Sequence, residues 1–159
     1  MNIIPTCQIP KDLVSAFFQK HWGSPQMVIS SGIYNCDELD GYGMLNDDNQ
    51  IVGLITYIFE EDACEIISLD SVIENKGIGT ALLEKAEEAC RERNIKQIKL
   101  ITTNDNIHAL AFYQKRGYRL DRLFVNAVET ARKMKPEIPL LADNKIPTRD
   151  ELLLVKALQ

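Results

Sequence analysis

The 159-residue sequence contains no Cys-x-x-Cys pair: its four cysteines, Cys7, Cys36, Cys64 and Cys90, lie far apart, and only His21 and His108 could add nitrogen ligands. No metal site is therefore expected, and the thiols read as reduced and mostly buried. No apolar run is long enough to span a bilayer without a charge interrupting it. Met1 is followed by Asn2-Ile3-Ile4-Pro5-Thr6, without the basic start and apolar core of a signal peptide. A cytoplasmic protein with no membrane partner is the expectation. Basic residues are outnumbered, 18 Lys and Arg against 23 Asp and Glu for a net charge of −5, so the electrostatic footprint for a nucleic-acid backbone is missing. Repeats, low-complexity stretches and linkers are missing too. With 45 % hydrophobic residues spread along this length, one core and a single domain over residues 1–159 are expected.

What is there is an ordered run of elements. Lys11 to Trp22 carries Leu13, Phe17 and Phe18 at helical spacing, stopped by Gly23-Ser24-Pro25. Three stretches rich in β-branched and aromatic residues follow, Met27 to Ile33, Leu39 to Leu45 and Ile51 to Phe59, with the turn Asn46-Asp47-Asp48-Asn49 between the last two. They read as an antiparallel meander. A fourth strand, Cys64 to Leu69, leads into a glycine turn and a helix from about Thr80 to Arg93 with the apolar stripe Leu82, Leu83, Ala86, Ala89 and Cys90. Gln97 to Thr102 alternates as a strand, Asn106 to Lys115 is helical with Gly117 placed to cap it, and Tyr118 to Phe124 is extended. A short helix over Asn126 to Met134, a loop punctuated by Pro136, Pro139 and Pro147, and a last strand, Glu151 to Leu158, complete the chain.

The turn reads Glu74-Asn75-Lys76-Gly77-Ile78-Gly79-Thr80. Two glycines between a strand and a helix let a phosphate reach backbone N–H groups, and the helix N-terminus offers unpaired donors and the positive end of its dipole. An ordinary tight turn explains a bare Gly-x-Gly equally well. A dinucleotide fingerprint would want a third glycine where Leu82 stands, and a nucleotide-triphosphate loop would want Gly-Lys-Ser/Thr; both are absent.

The segment resembles the acetyl-CoA pyrophosphate loop of the GNAT N-acetyltransferases, Gln/Arg-x-x-Gly-x-Gly/Ala, with Glu74 where Gln or Arg is usual. Asn106-Ile107-His108-Ala109-Leu110-Ala111-Phe112-Tyr113 through Gly117-Tyr118 is similar to the family's Asn-x-x-Ala-x-x-Phe-Tyr-x-x-x-Gly-Phe/Tyr pattern at every named position. Residues three and seven apart share a helix face, so Asn106, Ala109 and Tyr113 form one stripe of an amide, a small residue and a phenol. An amphipathic helix whose Tyr113 merely packs is the plainer alternative. Phe112 reads as core packing and His108 as a solvent-facing residue.

The resemblance implies a GNAT fold in the α/β (α+β) class: a mixed, mostly antiparallel sheet of six to seven strands flanked by helices, with a helix-containing insertion before the last strand. It implies acetyl-CoA as cofactor, held by Leu69, Asn75, Lys76, Gly77, Ile78, Gly79, Thr80, Asn106, Ala109 and Tyr113, and transfer of the acetyl group to a small-molecule or protein amine. An ammonium with a pKa of roughly 10.4 must lose a proton before it attacks, and the departing thiolate benefits from an acid. Tyr113 suits the acid. Glu65, at the start of the fourth strand, is the candidate base, with a solvated strand carboxylate as the plain alternative and Asp70 as rival. Arg132, Lys133 and Lys135 read either as a solvated face or as a wall favouring an acidic acceptor. A homodimer is allowed, and a non-catalytic acyl-CoA-binding or sensing domain is the competing reading of function.

Overall fold

The structure, a computed structural model, describes residues 1–159. Its strands are β1 (Asn2–Pro5), β2 (Gln26–Ile29), β3 (Gly32–Asn35), β4 (Asp40–Leu45), β5 (Ile51–Phe59), β6 (Ala63–Ser71), β7 (Gln97–Thr103), β8 (Arg119–Phe124) and β9 (Glu151–Ala157). Its helices are α1 (Lys11–Trp22), α2 (Ile78–Glu92), α3 (Ile107–Lys115) and α4 (Ala127–Met134). Seven strands form one sheet in the order β1-β4-β5-β6-β7-β9-β8, and β2 and β3 form a separate pair. The mixed, mostly antiparallel sheet and the helix α4 ahead of the last strand agree with the expected fold. Two details differ. Met27 to Ile33 is not a strand of the meander but parts of the β2–β3 pair, broken at Ser30-Ser31, and the first strand of the large sheet is β1, which the sequence reading left out.

The chain divides into two compact units. The first is Met1–Met27, Tyr34–Ile98 and Leu158–Gln159; the second is Val28–Ile33 and Lys99–Ala157. In the first unit, β1, β4, β5 and β6 pair antiparallel in succession. Pro5 is tolerated because β1 is an edge strand. Side chains alternate between the faces of a strand. Leu54 of β5 joins Ile67, Val14, Phe17 and Phe18 in the core beneath α1. Its neighbour Gly53 points the other way, where a Cβ would strike Ile78 and Leu82 of α2. So α1 and α2 cover opposite faces. The α1 helix ends as read, on Gly23 at φ 78°, whose N–H donates to the Gln19 carbonyl at 3.0 Å.

In the second unit, β8 and β9 pair antiparallel with a bulge between Leu120 and Arg122. The α3 helix closes on Gly117 at φ 93°: the Gly117 N–H donates to Gln114 O at 3.2 Å and the Tyr118 N–H to Tyr113 O at 3.1 Å, the paired bonds of a Schellman cap. The Tyr113 and Tyr118 rings meet edge to face at 5.5 Å, supplying the apolar contact that accompanies such a cap.

A Gly53→Ala methyl would meet the γ-methyl that Ile78 carries on its stiff, β-branched carbon, with the end of Leu82 beside it. The substitution is expected to destabilise the fold by about 1–3 kcal/mol, the range for overpacking a filled core. Urea denaturation checks this: an unchanged midpoint would mean that α2 slides on the sheet at no cost.

Candidate active site

In the first unit, Glu74, Asn75, Lys76 and Gly77 are exposed in the connection from β6 to α2. Asn75 and Gly77 take left-handed conformations, φ 60° and 72°. Gly77 is the N-cap of α2, no side chain caps that helix, and its first turn holds no acid. The first in-helix donor is the Ala81 N–H, 2.9 Å from Gly77 O. A left-handed residue followed by helical ones turns successive N–H groups to one side, and the helix dipole adds positive potential there. Nothing lies within 4 Å of a Cβ built on Gly77, so glycine is required here by backbone angle and not by crowding. Gly79 is already inside the helix.

On β6, Ile67 has no cross-strand partner: Ser68 pairs with Thr56 and Ile66 with Tyr57. This bulge re-aims the strand just before Leu69. The buried hydroxyls of Thr56 and Ser68 bond across the two strands at 2.5 Å. Glu65 pairs with Ile58, which packs against the α1-side core, so its carboxylate lies on that face and is 3 % exposed. That removes the solvated alternative for Glu65. Asp70 pairs with Leu54 and shares the face. At about 3.3 Å per residue the two carboxylates are roughly 15 Å apart along β6, too far for one small amine to meet both.

Asp70 has a partner that the sequence reading did not find. Its Oδ1 accepts a 3.1 Å hydrogen bond from Trp22 Nε1 at the end of α1, while Oδ2 is buried without a partner. Burial raises its pKa above the ordinary 3.8, against smaller downward effects of the Trp22 bond and the charge of His21. The lone tryptophan beside the last turn of a helix was the available signal.

In the second unit, Asn106 is the N-cap of α3, its Oδ1 accepting the Ala109 N–H at 3.1 Å. One half of the amide thus holds the helix, and its Nδ2 is what remains to offer a ligand. Tyr113 is 7 % exposed, in ring contact with Phe112 and Tyr118. Phe112 is half-buried rather than core, stacked under the Arg116 guanidinium at 3.7 Å. His108 is exposed, as read.

The insertion before β9 is held by polar clamps. Asn104 Oδ1 accepts the N–H groups of Arg149 and Asp150, and Asp150 Oδ1 accepts the Asn126 N–H at 2.8 Å. Bonded first by Arg149 and then by the Asn126 N–H, the Asp150 carboxyl is held below its ordinary pKa. Arg132 donates to the carbonyls of Ile138, Pro139 and Thr148 and to Glu129 Oε1. It is a loop clamp, and the reading of Arg132 as a contact for an acidic acceptor is corrected accordingly.

Residues 9–118 match the acetyltransferase (GNAT) family. The protein YxbD of Bacillus subtilis (strain 168) is 98 % identical over 159 residues, 100 % of both chains. Two solved structures share the fold. A Bacillus subtilis acetyltransferase in complex with CoA has a TM-score of 0.70 at 18 % identity over 99 % of each chain. A GNAT family acetyltransferase from Elizabethkingia anophelis with acetyl-CoA bound has a TM-score of 0.68 at 21 % identity, over 99 % of this chain and 97 % of that one. The chain belongs to the GNAT acetyltransferase family and is an acetyl-CoA-dependent acyltransferase. No helix is long and apolar enough to cross a membrane.

Trp22 is the sole tryptophan, so its emission reports on Asp70 directly. Because the folded Asp70 carboxyl keeps its proton to higher pH than the unfolded one, stability is lost as pH rises from the ordinary carboxylate value through the folded one. Trp22 fluorescence is expected to titrate above about pH 4, and Asp70→Asn to abolish both that titration and the accompanying stability loss. A wild-type emission that stayed constant above about pH 4 would show that Asp70 does not change charge there.

Proposed function

We propose that the protein is a cytoplasmic N-acetyltransferase that moves the acetyl group of acetyl-CoA to a primary amine of a small molecule or protein. The observation that carries this reading is the α2 N-terminus: exposed, uncapped by any side chain, free of acid in its first turn, and preceded by a left-handed glycine. The backbone from Asn75 to Thr80 would hold the pyrophosphate, as the N-termini of helices hold anions generally. Leu69, in the strand that leads into this turn, would offer its backbone to the pantetheine; in the second unit, Asn106 Nδ2 and the small face at Ala109 are candidate cofactor contacts. Acetyl-CoA supplies the activated thioester. Glu65, buried on β6, is the candidate base, directly or through water, for removal of a proton from the acceptor ammonium. Tyr113 is the candidate acid. Its ring is fixed between Phe112 and Tyr118, so the phenol has a defined direction from which to protonate the departing thiolate.

Three variants separate the roles. Gly79→Val in folded protein should weaken CoA binding severely by calorimetry; unchanged affinity would remove the anion-site reading. Tyr113→Phe keeps the packing and loses the hydroxyl, so kcat should fall on the order of a hundredfold with CoA affinity retained. Near-normal turnover with chemistry rate-limiting would reduce Tyr113 to a packing residue. Glu65→Gln should depress the rate most near neutral pH and recover partly as free amine accumulates at higher pH. An unaltered pH–rate profile would take the base away from Glu65. Coenzyme A release with a panel of amines is the assay throughout, and no turnover with any amine despite intact binding would favour a sensing domain.

A further inference from the structure

The large sheet ends on β8, whose outer edge has no neighbouring strand. Arg119, Leu120, Asp121, Arg122 and Leu123 are all exposed, with Leu120 and Leu123 more than half so. The patch continues past the strand: Leu123 and Val125 line a groove of about 650 Å³ together with Ile33 and Met134, each at least half exposed. Contiguous exposed aliphatic surface of this kind marks an interaction site more often than a free face.

A bulge and charged side chains usually blunt an edge. Here they leave one register open. In the ladder with β9, Leu120 lies opposite Leu154 and Leu123 opposite Leu152, so the bulge at Asp121 brings Leu120 and Leu123 to the same face, although an unbroken strand would put them on opposite faces. Arg119, Arg122 and Phe124 lie opposite Val155, Leu153 and Glu151, and so share the other face. The segment Arg-Leu-Asp-Arg-Leu-Phe is then complementary to itself read backwards. About a two-fold axis between Asp121 and Arg122, Leu120 meets Leu123 of the second copy, Asp121 meets its Arg122, and Arg119 meets its Phe124. Each pair is favourable across antiparallel strands, as apolar contact, opposite charge and cation over ring respectively. A shift of one residue either way sets Asp121 or Arg122 against its own copy on the axis, which repels.

We propose that the β8 edge is a homodimer interface, in which two copies of this chain pair antiparallel through Arg119–Phe124 and cover the adjoining apolar patch. Such a contact is isologous and closes on itself, so it predicts a dimer and not a filament.

Sedimentation equilibrium of the full chain, 18.0 kDa as a monomer, at concentrations up to about 100 µM is expected to give twice that mass. Arg122→Asp and Asp121→Arg each place like charges across the axis and should weaken association at least about tenfold. The double variant exchanges the two charges, recreates the pair in reverse, and should restore the dimer. A second measurement does not depend on those variants folding. In a Cys7→Ser background, Leu120→Cys mixed with Leu123→Cys should form a disulfide-linked dimer under mild oxidation, while neither should alone. A wild-type monomer over the whole range, dimers that survive both single reversals, a double variant that stays monomeric, or no selective cross-link would each overturn the proposal.

Discussion

The seating of α2 on a bare backbone is the constraint on which the proposed anion site depends. Ile78 and Leu82, in the first two turns of the helix, press on β5 at Gly53, where any side chain would intrude. A helix N-terminus can act as an anion receptor only if its amides stay fixed while water is displaced, because the dipole acts over little more than one turn. Packing the first turn itself onto the sheet, with Ile78 2 % exposed, supplies that fixity without a side-chain cap. The contrast with α3 is informative. That helix spends Asn106 on capping its own Ala109 N–H, so its end is satisfied internally. The two helix starts look alike in sequence as short polar-to-apolar transitions, yet only α2 is left open.

Local periodicity made most elements legible. The bounds of α1 were read directly because Phe17 and Phe18 carry the helical stripe and Gly23 provides the left-handed cap. Gly117 was legible for the same reason, as a glycine at the one position of a Schellman cap that requires positive φ. What failed was whatever depends on distant partners. Met27 to Ile33 has the composition of a strand, but the break at Ser30 is held by Glu151, whose Oε1 accepts both the Ser30 N–H at 2.8 Å and its hydroxyl at 2.6 Å across 121 residues. Nothing near Ser30 announces that carboxylate. The four residues of β1 form a strand only because β4 offers an edge 40 residues on.

The candidate site shows the same division. The glycine turn and the Asn-Ala-Tyr helix were legible as motifs because their spacing encodes backbone geometry, a left-handed glycine and a helix face. Side-chain environment was not encoded locally. Glu65 reads either as a base or as a solvated strand carboxylate and is buried; Arg132 reads either as part of a solvated face or as a contact for an acidic acceptor and is bound to three carbonyls. Asp70 acquires its character from burial, and its hydrogen-bond partner is Trp22, 48 residues earlier. Charged residues are poorly predicted by pattern because their burial depends on whether a specific partner offsets desolvation, and that partner is set by the tertiary fold.

Does a net charge of −5 oppose an anionic cofactor? It does not, because at physiological salt exposed charges more than about 8 Å apart are largely screened. What counts is the charge within that distance of the α2 N-terminus, the proposed seat of the phosphates. There the chain supplies the α2 amides, the helix dipole and Lys76, and no acid in the first helical turn. Glu74 is the one unfavourable neighbour in the turn. It is exposed, so its carboxylate can rotate into water, where high dielectric reduces an unscreened repulsion at 4 Å to about 1 kcal/mol and distance lowers it further. Oriented amides fixed by packing carry no mobile counter-charge and lose none of their alignment when a ligand arrives. The local backbone field therefore outweighs both the acid at position 74 and the acidity of the chain as a whole.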